Sequence, residues 1–381
     1  MPLRVLVATH YWRPHRGGIE TVAREQALRL LRRGHQVTVV TSRLGEDRAR
    51  EDDQGLRLIR LRAANPLEAR GVPYPLFSPA LLPKALSLLR AHDVALVHSH
   101  TFLPSVVLAA AGRALGKPVL VLQHNTYVEY PQPLRGLEDL ADATLGALTL
   151  RLARRRLAVS EETRRYVQRL ASGPCELLRN GVDTARFQPA APGERASLRK
   201  SLGLPDDRFV ALTVRRLSFK NGIDTLLEAA ALLPSVHFAI AGGGPDRAFL
   251  DRAVEERALT NVQALGFVPD ESLPALYRAA DLFVLPSKSG EGMPMVVLEA
   301  FASGLPCVAT RTGGQVEIVQ EGLTGFLVAP GEPAELACAV RDAAADPAAL
   351  QRLGLAARAS AALVDWDAQV SLLERLLLEA A

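Results

Sequence analysis

Residues 290–306 read GEGMPMVVLEAFASGLP. The segment follows a short apolar run, DLFVLPS (281–287), so that a strand, a loop and a helix succeed one another. Pro294 lies where a helix can begin, because a proline in the first helical turn sacrifices no hydrogen bond. A helix that starts near Met293 would direct backbone N–H groups and the positive end of its dipole at an anion. The segment therefore predicts an α/β unit with an anion site at this helix.

Two carboxylates stand within the segment, Glu291 and Glu299. They are separated by roughly two helical turns, and carboxylates so placed can accept hydrogen bonds from hydroxyls at both ends of a nucleotide-sugar. A surface helix with two solvated glutamates is the alternative interpretation. The strand–loop–helix context favours the first.

The alternation of apolar runs and helical patterns extends over both halves of the chain. Repeated β-α-β units predict parallel sheets covered on both faces, with ligands at the carboxyl ends of the strands. We therefore predict two Rossmann-like, doubly wound α/β domains that face a central cleft. The predicted strands are 4–9, 36–42, 56–61, 94–100, 118–125, 157–161, 209–217, 237–244, 261–268, 281–287, 306–310 and 324–330.

The halves meet in a Pro- and Ala-rich segment, 187–195. We predict an N-terminal domain over 1–187 and a C-terminal domain over 188–364. An amphipathic helix over 365–381 would pack on its own domain or back on the first one.

The composition excludes several classes of protein. A net charge of +4 over 381 residues is too small for a bulk nucleic-acid binder. Three scattered cysteines without a C-x-x-C pair argue against disulfides and a cysteine-based zinc site. No apolar run reaches the roughly 18 residues of a membrane helix, so we expect a cytoplasmic protein. The basic stretch 151–156 is either a solvated face or a peripheral contact with anionic lipid.

Two cations stand at the end of the predicted strand 209–217 and just after it. Arg216 and Lys220 lie in the loop of VRRLSFKNGIDTLLEA (214–229), just before a helix. Arginine can bind two phosphate oxygens at once, and lysine adds a point charge. Alone, the pair would be ordinary surface cations. In the same half as the two glutamates, it favours a diphosphate site.

The first half offers a glycine turn and three histidines. GGIE (17–20) joins a strand to a helix but lacks the full G-x-G-x-x-G fingerprint. His124 closes a strand and is an acid/base or hydrogen-bond candidate, with a buried core histidine as the alternative. His98 and His100 close the preceding strand and would share one face of it, but the sequence shows no third metal ligand.

Taken in order, several segments resemble glycosyltransferase family 4, the retaining group with the two-domain GT-B fold. They span nearly the whole chain. The matching segments are HYWRPHRGGIETVAREQALRLLRRGHQVTVVT, QHN, AVSEETR, NGVDTARF, RRLSFKNGIDTLLEA, AGGGPDRAFL, LGFV, LYRAADLFVLPS, GEGMPMVVLEAFASGLPCVATRTGGQVEIV and GLTGFLVAPG.

The resemblance implies that the C-terminal domain holds a UDP- or GDP-sugar donor. Arg216 and Lys220 would bind the diphosphate and stabilise the leaving group. Glu299 would bind the ribose hydroxyls, and Glu291 would lie by the transferred sugar.

The amides near Gly292, Met293, Met295 and Val296 would assist at the sugar and the phosphates. Gly18 would let the first domain close on the phosphates.

His124 would sit at the reaction centre. Transfer would retain the anomeric configuration, and no metal or other cofactor is expected because cations and helix ends replace it. The acceptor would be a sugar, a lipid-linked molecule or a small metabolite, selected by loops 63–80 and 126–140, in cell-surface polysaccharide or glycolipid synthesis.

Two departures from the family pattern G-R-L-x-x-K-G concern the phosphate loop. Arg215 replaces the first glycine, and Asn221 separates Lys220 from Gly222. Two rival functions also stay open: a nucleotide-sugar epimerase or hydrolase of the same fold, and a non-catalytic nucleotide-sugar sensor.

Overall fold

The computed structural model describes residues 1–15, 17–45, 49–66, 74–129, 132 and 134–381. Parts of the two expected acceptor loops, 67–73, 130, 131 and 133, lie outside these residues. The chain divides into two compact units. Unit 1 comprises Met1–Asn180 and Trp366–Ala381, and unit 2 comprises Gly181–Asp365.

Unit 1 is built on a sheet in which parallel strands dominate. Its described strands are β1 Arg4–Ala8, β2 Gln36–Arg43, β3 Arg50–Asp53, β4 Leu56–Ala64, β5 Leu76–Phe77, β6 Val94–His98, β7 Val119–Gln123, β8 Arg155–Ala158 and β9 Glu176–Leu177. The order is β3-β4-β2-β1-β6-β7-β8-β9, and β5 also pairs with β4. All six predicted strands of this half are present. The short β3, β5 and β9 were not predicted, and β3 and β5 run antiparallel to β4.

Helices cover this sheet. They are α1 Gly18–Arg32, α2 Leu81–Ala91, α3 Leu103–Leu115, α4 Leu134–Ala141, α5 Ala147–Leu152 and α6 Glu161–Leu170, with a π-helical turn, Asp142–Gly146, between α4 and α5. The strand order reverses between β1 and β6, and ligands of doubly wound folds bind at such a switch point.

Unit 2 has a fully parallel sheet of order β12-β11-β10-β13-β14-β15. Its strands are β10 Phe209–Val214, β11 Val236–Ala241, β12 Val262–Gly266, β13 Leu282–Leu285, β14 Cys307–Thr310 and β15 Gly325–Val328. Its helices are α7 Glu194–Leu202, α8 Ile223–Ala231, α9 Arg247–Glu256, α10 Leu273–Ala279, α11 Met295–Ala302, α12 Gln315–Ile318, α13 Pro333–Ala345 and α14 Pro347–Ala362. The switch point lies between β10 and β13, so a ligand would bind at the loops after these two strands.

The boundary between the units differs from the predicted one at 187/188. Residues 181–187 pack with unit 2, because the amide of Val182 donates to the carbonyl of Val364 (3.0 Å) and Thr184 donates to Asp365 (3.0 Å). The side chain of Arg358 also donates to the carbonyl of Phe187 (2.8 Å).

The last helix, α15 (Trp366–Ala380), belongs to unit 1. Its apolar stripe is buried, and two polar residues tie it to α1 and the turn that follows: Arg33 and His35 reach Glu374 at 2.8 and 2.9 Å. Within the described ranges, no helix combines the length and apolar character needed to cross a membrane.

Candidate functional site

The loops at the switch point of unit 2 approach each other backbone to backbone. Gly222 has a positive φ of 70°, and a Cβ there would lie 1.8 Å from the carbonyl oxygen of Pro286. Gly313, with φ of 54°, likewise leaves no room for a Cβ beside the carbonyl oxygen of Glu291, which accepts a hydrogen bond from the amide of Gly314 (3.0 Å). Glycine is the residue that tolerates both the conformation and the close approach. The loops after β10, β13 and β14 therefore hold Glu291 in place.

Glu291 is held by a side chain that we did not predict as a site residue. Arg215 donates from Nη2 to Oε1 of Glu291 (3.0 Å) and from Nη1 to Ser287 (3.0 Å). Ser287 donates to the same carboxylate oxygen (2.9 Å). Burial lowers the pKa of Arg215, and the charge of Glu291 opposes this effect. The signal in the sequence was the arginine that replaces the first glycine of the family pattern.

Glu299 lies in α11 and is half-buried. The hydroxyl of the buried Tyr277 donates to its Oε2 (2.8 Å). Burial raises the pKa of Glu299 to about 7, while the bond from Tyr277 and the charge of Arg186 act in the opposite direction. This carboxyl group therefore changes charge near neutral pH.

Helix α11 begins at Met295, two residues later than predicted, with Pro294 at the N-cap position. Among the described residues, no side chain caps it. As at any helix start, the first amides, including that of Val296, have no partner within the helix. Gly292 and Met293 precede it and are buried, as is Met295. The helix start is therefore a suitable place for an anion.

Arg216 and Lys220 occupy the loop after β10. Arg216 is exposed and Lys220 is half-buried. The side-chain amide of Asn221 donates to the backbone carbonyl of Arg216, and the amide of Lys288 donates to the carbonyl of Lys220 (2.7 Å). Asn221, which departs from the family pattern, thus forms a hydrogen bond across the loop that carries the two cations.

In unit 1, Ser99 has a positive φ of 75° and ends β6, so His98 and His100 do not share one environment. The prediction that they share a face of the strand was wrong for this reason. Nδ1 of His98 lies 2.8 Å from Nε2 of His124. Burial lowers the pKa of His98 to about 3 and that of His124 well below its usual value. Both imidazoles are therefore neutral near pH 7.

His10 lies close to this histidine pair, and its charge further lowers the pKa of His124. Nε2 of His10 is 3.5 Å from Oε1 of Glu20, and burial lowers the pKa of His10 to about 3. A Cβ on Gly17 would lie 2.3 Å from the carboxylate of Glu20, whereas a Cβ on Gly18 would meet nothing within 4 Å. The atom near Gly17 is the end of a flexible side chain that can move aside, so neither glycine is required by a fixed contact with the described residues.

A cavity of 390 Å³ opens in unit 1 next to His124, whose sequence neighbours Gln123 and Asn125 both line it. The described residues contain no cluster of three or more His, Cys, Asp or Glu side chains arranged to hold a metal ion.

Two family models match the chain in tandem. "Glycosyltransferase Family 4" matches residues 16–186, and "Glycosyl transferases group 1" matches residues 194–360. The chain is 30% identical to a GDP-mannose-dependent alpha-(1-6)-phosphatidylinositol monomannoside mannosyltransferase of Mycolicibacterium smegmatis, over 95% of this chain and 94% of that protein. It is 32% identical to the protein of the same name from Mycobacterium tuberculosis, over 85% of each.

Among solved structures, sucrose-phosphate synthase from Thermosynechococcus elongatus superposes with a TM-score of 0.83 at 25% identity, over 99% of this chain and 100% of that one. The match covers both units and includes the parallel sheets described above. From these matches and from its two Rossmann-like units, the chain is a glycosyltransferase of the GT-B fold and belongs to glycosyltransferase family 4.

Proposed function

We propose that this chain is a retaining glycosyltransferase that moves a sugar from a UDP- or GDP-sugar to an acceptor, in the synthesis of a cell-surface polysaccharide or glycolipid. The observation that carries the proposal is the pair of carboxylates in and before α11. Glu291 is fixed by Arg215 and Ser287, and Glu299 is fixed by Tyr277. Both stand in the loop and helix that follow the switch-point strand β13.

The diphosphate of the donor would bind where positive charge gathers. The side chains of Arg216 and Lys220 and the amides at the start of α11 offer charge-assisted hydrogen bonds to phosphate oxygens. The same groups would stabilise the charge that develops on the departing nucleoside diphosphate, without requiring a metal ion.

The two glutamates would bind the ribose and the sugar of the donor. Glu299 would accept hydrogen bonds from the ribose hydroxyls, and Glu291 from the transferred sugar. The acceptor hydroxyl would attack from the face that the leaving group occupies and pass its proton to the departing phosphate, so that the anomeric configuration is retained. His124, neutral because it is buried, would hydrogen-bond to the reacting sugar rather than supply a charge.

The relatives support the donor and acceptor classes. The mycobacterial proteins are named for GDP-mannose and for a mannosylated phosphatidylinositol, a glycolipid. By analogy with them, the donor would be a nucleotide-sugar, and the reaction would take place in the cytoplasm or at the inner face of the membrane.

The test is thermal stabilisation by UDP, GDP, ADP and their sugars, with magnesium and with a chelator. A ligand at 100 times its dissociation constant stabilises by about 2.7 kcal/mol. We expect one base class to stabilise the protein equally with and without metal. The effect should weaken in Glu299→Ala but not in Glu228→Ala, a control on the exposed side of α8. Stabilisation by none of these nucleotides would refute the donor site.

A further inference from the structure

The cavity of unit 1 has a polar end built from three separate parts of the chain. Nε2 of Gln123 donates to the carbonyl of Asn125 (2.8 Å), which orients the amide so that its oxygen faces His100. That oxygen lies 2.6 Å from Nδ1 of His100 and can only accept, so Nδ1 carries a proton. Nε2 of His100 lies 3.1 Å from Oδ1 of Asp142. A second proton must lie between these two atoms, because two lone pairs would otherwise face each other.

The polar end is therefore neutral as a whole. Imidazolium with carboxylate, or imidazole with carboxylic acid, both sum to zero charge. The hydroxyl of Tyr166 donates to the other oxygen of Asp142, and burial raises the pKa of Tyr166, so it stays protonated. The polar groups of this network thus satisfy one another and present no net charge to a ligand.

The rest of the wall is apolar. Its larger apolar side chains are Phe102, Val128, Leu134, Leu137, Leu140 and Leu145. Among the described residues that line the cavity, none is lysine or arginine, and the remaining ionisable groups, Glu138 and Tyr74, add no positive charge. A phosphate placed here would lose its hydration without meeting a cation, which is costly.

Leu137 and Leu140 both line the cavity and remain exposed, at 56% and 60%. They form part of its mouth, on helix α4. An apolar group entering the cavity would cover them, and the volume of 390 Å³ lies within the range of about 300–1,000 Å³ that small-molecule sites occupy.

From this geometry we propose that the cavity binds the acceptor through an uncharged, apolar group, an alkyl or aryl chain joined to a hydroxyl-bearing head, and that it rejects acceptors that place a phosphate there. The apolar group lies against the leucines of α4 and the π-helical turn, and the hydroxyls face the polar groups that flank His124. This inference rests on the proposed function, because only a transferase has an acceptor. The binding of such an apolar group does not itself depend on the donor.

The test is calorimetric titration of the whole protein with three probes: n-octyl β-D-glucoside below its micelle concentration, methyl β-D-glucoside and glucose 6-phosphate. We expect the octyl glucoside to bind about tenfold or more tightly than the methyl glucoside, because each buried methylene adds transfer free energy. Glucose 6-phosphate should not bind in the cavity.

Leu137→Glu should weaken binding of the octyl glucoside about tenfold, since a charge at the mouth opposes entry of the chain. Leu82→Glu is the matched control, because Leu82 on α2 is equally exposed (53%) and does not line the cavity. Equal affinity for the octyl and methyl glucosides, tight binding of the phosphate, or equal loss in both variants would overturn the proposal.

The nucleotide titration distinguishes the two proposals. If nucleotides bind through Glu299 while the octyl glucoside does not bind, the cavity assignment fails and the proposed function stands. If the octyl glucoside binds and weakens in Leu137→Glu while no nucleotide binds, the proposed function fails and the ligand chemistry of the cavity stands.

Discussion

Arg215 and Glu291 form a charge pair that water scarcely reaches, with side-chain exposures of 5% and 18%. Removing one partner of a buried pair leaves an uncompensated charge, which costs about 3–5 kcal/mol. We therefore predict that Arg215→Met lowers the free energy of unfolding in urea by about 3 kcal/mol. Adding Glu291→Gln to this variant should restore part of the loss.

The control for this prediction is Arg341→Met. Arg341 is 58% exposed and faces Asp342 at 3.8 Å, so its removal should change the free energy of unfolding by no more than about 0.5 kcal/mol. Equal destabilisation by the two variants would contradict the role assigned to Arg215.

Glu299 should make donor binding depend on pH. Its pKa of about 7 means that it is protonated below neutral pH and ionised above it. Because the ionised carboxylate is the better acceptor for ribose hydroxyls, we predict that affinity for a nucleotide-sugar rises as pH increases through about 7. Titrations between roughly pH 5.5 and 8.5 measure this, and Glu299→Gln should flatten the curve. A nucleotide-sugar is used because a terminal phosphate would itself titrate at about pH 6.

The same shift has the opposite sign for stability without ligand. The pKa of Glu299 is raised on folding from 4.5 to about 7, so its contribution is fully present below pH 4.5 and is lost as pH rises through 7. Unchanged pH dependence of both binding and stability in Glu299→Gln would show that another group titrates.

At the scale of elements, α15 completes the cover of unit 1. Leu373 is fully buried in it, whereas Leu378 of the same helix is 42% exposed. We predict that Leu373→Ala lowers the free energy of unfolding by about 2–5 kcal/mol, and that Leu378→Ala changes it by about 0.5 kcal/mol or less. Nucleotide affinity should stay the same in both variants, since the proposed donor side chains of Arg216, Lys220 and Glu299 lie in unit 2. Equal effects of the two substitutions in thermal unfolding would contradict this packing.

Some strands could be predicted from the sequence and others could not. Strands such as β6 and β7 were predictable because buried parallel strands are continuous apolar runs. The strand β3, whose letters are REDD, carries no such run, and it forms because the edge of β4 offers it a partner. Local pattern cannot report a neighbour of this kind.

The candidate sites divide in the same way. Glu291, Glu299, Arg216, Lys220 and His124 all lie at carboxyl ends of strands or in the helix that follows, as their spacing predicted. Their roles stay predictions. The contacts of His100 with Asp142, and of Asp142 with Tyr166, join residues 42 and 24 positions apart on different elements, and nothing in the local sequence marked them.

At the scale of the whole molecule, the six parallel strands β4-β2-β1-β6-β7-β8 of unit 1 follow the same order as the six strands of unit 2, but the two units place different chemistry at the switch point. Unit 1 buries neutral histidines beside a cavity lined largely by apolar groups. Unit 2 presents cations, a helix start and two fixed carboxylates. This division of charge suits an uncharged acceptor in one unit and a diphosphate donor in the other.

Retention of configuration during sugar transfer is the central claim, and a ¹H NMR time course tests it most directly. The protein is mixed with the nucleotide-sugar identified by stabilisation, in a chelator, with n-octyl β-D-glucoside or water as acceptor. We predict that an α-linked donor first gives an α-configured product, at a rate that falls sharply in Glu291→Gln. A β-configured first product, or an epimerised nucleotide-sugar with no transfer, would contradict it.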